Sequence, residues 1–161
     1  MSENKKILLS ILVENYSGTL SKVAGLFTRR GYNIDSLNVA ETQDPKISRI
    51  TVTVTGDSYV IEQITKQLHK LINVIKISIL SSESSVQREL MMIKVNSEGQ
   101  KRSELVQIVN IFKANIIDVQ HKNLIVSISG DEDKNNAFLE LLKPFGIVEM
   151  TRTGPTALER G

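Results

Sequence analysis

The stretch YNIDSLNVAETQDPKISRITVTVT, Tyr32 to Thr55, holds two strand-like segments separated only by the turn TQDPK. Ile50 to Thr55 alternates apolar and hydroxyl residues strictly, the period of a strand with one apolar face. Upstream, ILLSILV (Ile7 to Val13) is a continuous apolar run of strand length, as expected for a central strand covered on both sides. Between these strands Leu20, Val23, Ala24 and Phe27 recur at helical spacing, with Ser17 expected as N-cap and Gly31 as C-terminal stop. Downstream, Ile61, Ile64, Leu68, Leu71 and Ile72 mark a second amphipathic helix, and Val74 to Leu80 a fourth strand. The order is β-α-β-β-α-β.

Beyond the polar segment Ser81 to Ser85 the same order begins again. Leu90 to Val95 reads as a strand, and Leu105, Ile108, Val109 and Phe112 form a helical stripe. NIIDVQ and LIVSIS read as a hairpin around His121 to Asn123; Phe138, Leu141, Leu142 and Phe145 give the last helix, and IVEMTR the last strand. The repeat is one of pattern, not of residue identity. The expected architecture is α+β: two ferredoxin-like βαββαβ units, each an antiparallel four-stranded sheet with two helices on one face, spanning residues 1–80 and 81–161.

Of the 161 residues 40% are apolar and 24% charged, a balance that supports a buried core. With four Phe, three Tyr and no Trp, that core must consist mainly of Ile, Leu and Val. The absence of Cys excludes disulfides, thiolate metal sites and sulfur nucleophiles, and fits a reducing compartment. The start MSENKKILLSILVEN lacks a small-residue cleavage site and runs into Glu14 and Asn15; no apolar run approaches the roughly 20 residues of a membrane span. A cytoplasmic protein without a membrane partner is expected. The net charge of +2 is too small and scattered for a nucleic-acid footprint.

In this architecture one sheet face and the edge strands need solvent, a partner or a ligand. Thr51, Thr53 and Thr55 make that face polar in the first unit, and edge pairing with a second copy predicts a symmetric homodimer. An RNA-recognition module would need aromatic platforms on its central strands, which carry none. An acylphosphatase-like enzyme would need an arginine in the first strand-to-helix loop, where ENYSGT offers neither Arg nor Lys. His69 and His121 lie in no Ser-His-acid or His-x-x-x-His spacing, and His69 is expected on the surface. Asp44 and Glu41 are expected as solvated turn charges, and the ligands of a metal-sensing variant are missing.

The candidate site is the turn ahead of the first helix. A helix N-terminus presents unpaired N–H groups and a partial positive charge, so it can hold a carboxylate without a basic side chain. Gly18 permits close approach to the backbone, and Asn15 supplies both a donor and an acceptor, a set that suits an amino-acid zwitterion. Asn33 is a further candidate if the edges of two copies meet there. Taken alone, the spacing favours a plain turn and cap over a ligand site.

The segment ENYSGTLSKVAGLFTRRGYNIDSLNV resembles the signature of the acetolactate synthase (acetohydroxyacid synthase) small regulatory subunits, whose amino-terminal domain is an ACT domain. The resemblance continues through DPKISRITVTV, IEQITKQLHKLINVIKI, VQRELMMIKV, IIDV and the closing EMTRTG with ALERG. It implies a non-catalytic partner that binds the large catalytic subunit, raises its activity and confers feedback inhibition by L-valine in branched-chain amino acid biosynthesis. No cofactor is implied for this chain; thiamine diphosphate and magnesium, with FAD as a further candidate, belong to the catalytic partner. Carried onto this sequence, the effector contacts fall on Asn15, Tyr16, Ser17, Gly18, Thr19 and Leu20, with Asn33 and Ile34 from the adjoining ACT domain of a homodimer. The second unit is expected to tune regulation. Two other readings stay open: a free-standing ACT-type amino-acid sensor of another enzyme, and a structural dimerisation module without a ligand.

Overall fold

A computed structural model describes residues 4–161. The first three residues of the opening segment lie outside the described residues; from Lys5 onward it is strand. The first unit runs β1 (Lys5–Glu14), α1 (Thr19–Arg29), β2 (Ile34–Glu41), β3 (Ile47–Gly56), α2 (Ser58–His69) and β4 (Val74–Leu80). Its sheet has the order β2-β3-β1-β4 with every pairing antiparallel. Because β1 sits in the interior of the sheet, its odd positions Leu9, Ile11 and Val13 are buried under the helices together with Ile50, Val52 and Val54 of β3. Val23, Leu26 and Phe27 of α1 and Ile64 and Leu68 of α2 close this core.

Both helices end where local chemistry ends them. Gly31, with φ of 71°, donates its N–H to Thr28 O at 3.1 Å while Tyr32 N donates to Phe27 O at 3.0 Å, the paired bonds that use up the last carbonyls of a helix. Asp57 caps α2 by accepting from Val60 N at 2.9 Å. The helix stops at His69, so Ile72, which the periodicity places in the buried stripe, lies beyond it and is 93% exposed.

The second unit repeats the order: β5 (Ser85–Asn96), α3 (Lys101–Ile111), β6 (Asn115–Val119), β7 (Asn123–Gly130), α4 (Glu132–Leu142) and β8 (Ile147–Arg152), with strands arranged β6-β7-β5-β8. Met91, Ile93 and Val95 pack with Leu124, Val126 and Ile128 beneath Leu105, Val109, Phe138 and Leu142. Leu141 is exposed, and Phe145 falls in a separate 3-10 turn, Lys143–Phe145, because Pro144 has no N–H with which to continue α4.

Two features depart from the sequence reading. The polar segment Ser81 to Ser85 closes on itself, Ser81 N donating to Ser84 Oγ at 2.9 Å and Ser84 N to Ser81 Oγ at 3.0 Å, and β5 already begins at Ser85, inside it. A ninth strand, β9 (Thr156–Glu159), pairs with β5, and Arg160 N donates to Ser84 O at 2.8 Å. The compact units therefore divide between Val86 and Gln87, and Thr156–Gly161 belongs with the first unit, where Ala157 is buried with Leu8 and Leu80. Nor is the polar face of the first sheet left to solvent. Thr51 and Thr53 are each 2% exposed; Thr53 shares a short hydroxyl contact with Ser36, and only Thr55 is open, donating to Asp35 Oδ2 at 2.6 Å.

Candidate functional site

The loop between β1 and α1 is held at both ends by backbone bonds. Glu14 N donates to Asn73 O and Asn15 N to Lys46 O, each at 2.8 Å, so the loop leaves the sheet between the β2–β3 turn and the approach to β4. The helix then starts one residue later than the sequence indicates. Gly18, not Ser17, is the N-cap; its φ of 86° and ψ of −6° are left-handed, and no side chain caps the first turn. The usual N-cap has extended backbone that aims a side-chain oxygen at the first-turn amides. A left-handed glycine there gives that oxygen up.

The consequence is a run of free donors. Thr19 N reaches Tyr16 O at 3.2 Å and Lys22 N reaches Gly18 O at 3.1 Å, but the amides of Ser17, Gly18, Leu20 and Ser21 have no protein acceptor among the described residues. Such amides, with the helix dipole behind them, form a cradle for an anion. Asn15, Tyr16, Ser17, Gly18 and Leu20 are exposed around it, whereas Thr19 is buried and fixes the start of the helix. A Cβ at Gly18 would meet nothing within 4 Å, so the space above the loop is open and the glycine is required by its φ.

Asn15 is oriented by its amide, which donates to Pro45 O at 2.9 Å and to Glu41 Oε1 at 3.3 Å. Its Oδ1 has no partner among the described residues. Glu41 thus stands beside the site, not merely in a solvated turn, and it offers a negative group for an ammonium. Asp44 plays a different part, accepting from Lys46 N at 3.0 Å and so shaping the turn. Sequence reasoning missed Glu41 because only the pairing of Glu41 with Ser48 brings the end of β2 alongside the end of β1.

Within one chain Asn33 and Ile34 do not join this group. β2 runs parallel to β1, and Ile34, level with Val54, lies at the opposite end of the strand from Glu41, about 23 Å away at roughly 3.3 Å per residue. Asn33 is exposed there. The corresponding loop of the second unit is built differently: Gly99 is left-handed, but Arg102 occupies the loop with its own bonds, from Nε to Ser97 O at 3.2 Å and from Nη2 to Ser97 Oγ at 3.0 Å, to His121 O at 3.2 Å and to Gln120 O. His69 and His121 are both exposed. Among the described residues no group of three or more His, Asp or Glu side chains could hold a metal ion, and no helix is long and apolar enough to cross a membrane.

Comparison with known proteins matches residues 9–76 to the AHAS small subunit-like ACT domain and residues 88–161 to the small subunit of acetolactate synthase. A probable acetolactate synthase small subunit of Methanothermobacter thermautotrophicus is 52% identical over 155 residues, covering 96% of this chain and 92% of that one. The acetolactate synthase isozyme 3 small subunit of Salmonella typhimurium is 47% identical over 155 residues, covering 96% and 95%. The crystal structure of the acetolactate synthase small subunit from Thermotoga maritima superposes with a TM-score of 0.88 at 41% identity, covering 98% of both chains.

Proposed function

The chain belongs to the family of acetolactate synthase small subunits, its first unit an ACT domain, and on that premise we propose that it is a non-catalytic partner that activates the thiamine-diphosphate-dependent large subunit and makes it sensitive to feedback inhibition by valine. The observation that carries the regulatory half is the run of unpaired amides at Ser17, Gly18, Leu20 and Ser21 beside the oriented Asn15. These amides receive the carboxylate of valine, while Asn15 Oδ1 and the Glu41 carboxylate receive its ammonium.

A second copy completes the site. Antiparallel pairing of two β2 edges about a two-fold axis sets the start of the partner's β2, with its Asn33 and Ile34, beside Glu41 and the loop. Leu37 and Val39 support this edge as the interface: they are level with buried Val52 and Ile50, on the helix-covered side, yet remain exposed. Valine bridging two copies then favours one geometry of the complex over another. A difference in affinity between the two states of about 1 to 3 kcal/mol shifts the response some 5- to 150-fold.

The test is the rate of acetolactate formation from pyruvate by the cognate large subunit alone, with this chain, and with this chain and valine. The chain raises the rate and valine reverses the rise. Asn15→Ala abolishes the valine effect and leaves activation intact; unchanged inhibition in that variant would sink the site assignment.

A further inference from the structure

The face of the first sheet turned away from its helices carries a cleft of about 200 Å³ that belongs to neither the β1–α1 loop nor the β2 edge. The strand register lays out its floor. Arg49, Leu12 and Lys76 form one row across β3, β1 and β4, and Thr51, Ser10 and Ser78 the next. The row after that ends in Leu8 and Leu80, which Ala157 covers, so the cleft is closed at that end. Leu158 and Glu159 of β9 form its wall.

Two cations thus flank one leucine on a single sheet face, about 10 Å apart at roughly 4.8 Å per strand. Among the described residues neither makes an ion pair; Arg49 instead donates from Nη1 to Ser10 Oγ at 2.6 Å. That bond orients the guanidinium and leaves four of its five N–H donors for another acceptor. Ser10 is itself buried, so the guanidinium is anchored at the bottom of the cleft and not free at its rim. The planar fork matches a carboxylate, and Lys76 adds a second positive charge from across Leu12. Leu12, Leu80 and Leu158 supply the apolar part of the lining, beside the hydroxyls of Ser10 and Ser78. Glu159 on the wall opposes a dianion more than a monoanion.

We propose that this cleft is a second small-molecule site, taking a monocarboxylate with a short apolar chain, its acid group on Arg49 and Lys76 and its chain against Leu12 and Leu158. The site is independent of the valine reading, since it shares no residue with that loop. Its volume, below the roughly 300 to 1,000 Å³ usual for ligand pockets, limits the ligand to a handful of heavy atoms.

The probe is isovalerate, titrated into the full 15N-labelled chain, with 3-methylbutan-1-ol as the neutral isostere and inorganic phosphate as the apolar-free anion. Isovalerate moves the backbone amide signals of Ser10, Leu12, Arg49, Lys76 and Ser78 saturably, the alcohol does not, and Arg49→Gln and Lys76→Gln each weaken binding about tenfold. Lys76 is exposed, so Lys76→Gln folds even if Arg49→Gln does not. No saturable shift at high millimolar isovalerate, undiminished binding to Lys76→Gln, or equal binding of phosphate each overturns the proposal. So does a result in which isovalerate shifts nothing while both variants lose the large subunit, which would make the cleft a protein interface.

Discussion

Gly18→Ala isolates what the left-handed cap does. Gly18 holds φ of 86°, and the added methyl would meet nothing within 4 Å, so the substitution introduces no clash and its whole effect is the backbone preference of an L residue, about 1 to 2 kcal/mol against the left-handed conformation. That energy can go to only two places. If the loop keeps its shape, the first unit loses that much stability. If it relaxes, the amides of Leu20 and Ser21 leave the position from which the proposed site would hold a carboxylate. In the first case half-inhibition is unchanged and the cost is read as stability; in the second the competent loop is disfavoured by up to about 5- to 30-fold within the folded protein, and the valine concentration for half-inhibition rises by that factor or less. Gly18→Asn, whose side chain tolerates the left-handed region better, recovers part of the loss. The assay is acetolactate formation by the large subunit with each variant across a valine titration, with thermal unfolding followed by tyrosine emission, since Tyr16, Tyr32 and Tyr59 all lie in the first unit. Unchanged half-inhibition and unchanged stability together in Gly18→Ala would mean that the left-handed cap does nothing for the loop, as would a Gly18→Asn variant more impaired than Gly18→Ala.

Other consequences follow from packing. In the second unit Glu89, 4% exposed, accepts from Arg152 Nε at 2.8 Å and Nη2 at 2.7 Å and from Asn135 Nδ2 at 3.1 Å. Arg152→Ala strands a buried carboxylate without its cation and costs about 3 to 5 kcal/mol, whereas Glu89→Gln leaves a partly exposed guanidinium that water reaches and costs less; hydrogen exchange at Met91 and Ile93 reads the difference, and the reverse order refutes it. The hydrogen bond to Glu89 raises the Arg152 pKa, with burial opposing it. A raised pKa means that this arginine's contribution is fully present below the ordinary arginine value and is lost only as pH climbs through the higher folded one, so denaturation across neutral pH shows no step from Arg152. Deleting Thr156–Gly161 uncovers Leu8 and Leu80 and destabilises the first unit by about 1 to 3 kcal/mol, seen as an earlier tyrosine-emission transition; a transition unmoved by the deletion removes the tail from that core.

The order of elements and the repeat are legible in the residues alone, because each strand and helix declares itself through a local period: two residues in Ile50 to Thr55, between three and four in Leu20, Val23 and Phe27. The loop is legible too, since Asn15, Ser17 and Gly18 interrupt an apolar pattern whatever the chain does elsewhere. How that loop is finished is set by long-range contacts. Whether Ser17 or Gly18 caps the helix depends on one backbone angle, and Glu41 reaches Asn15 only through a strand register that no local window contains. The same holds for the pairing of Glu89 with Arg152 across 63 positions, and for β9, four residues whose burial depends on Leu8 and Leu80 far upstream. Local preferences act over one turn or one strand, whereas polar satisfaction and burial are properties of surfaces that meet only after folding.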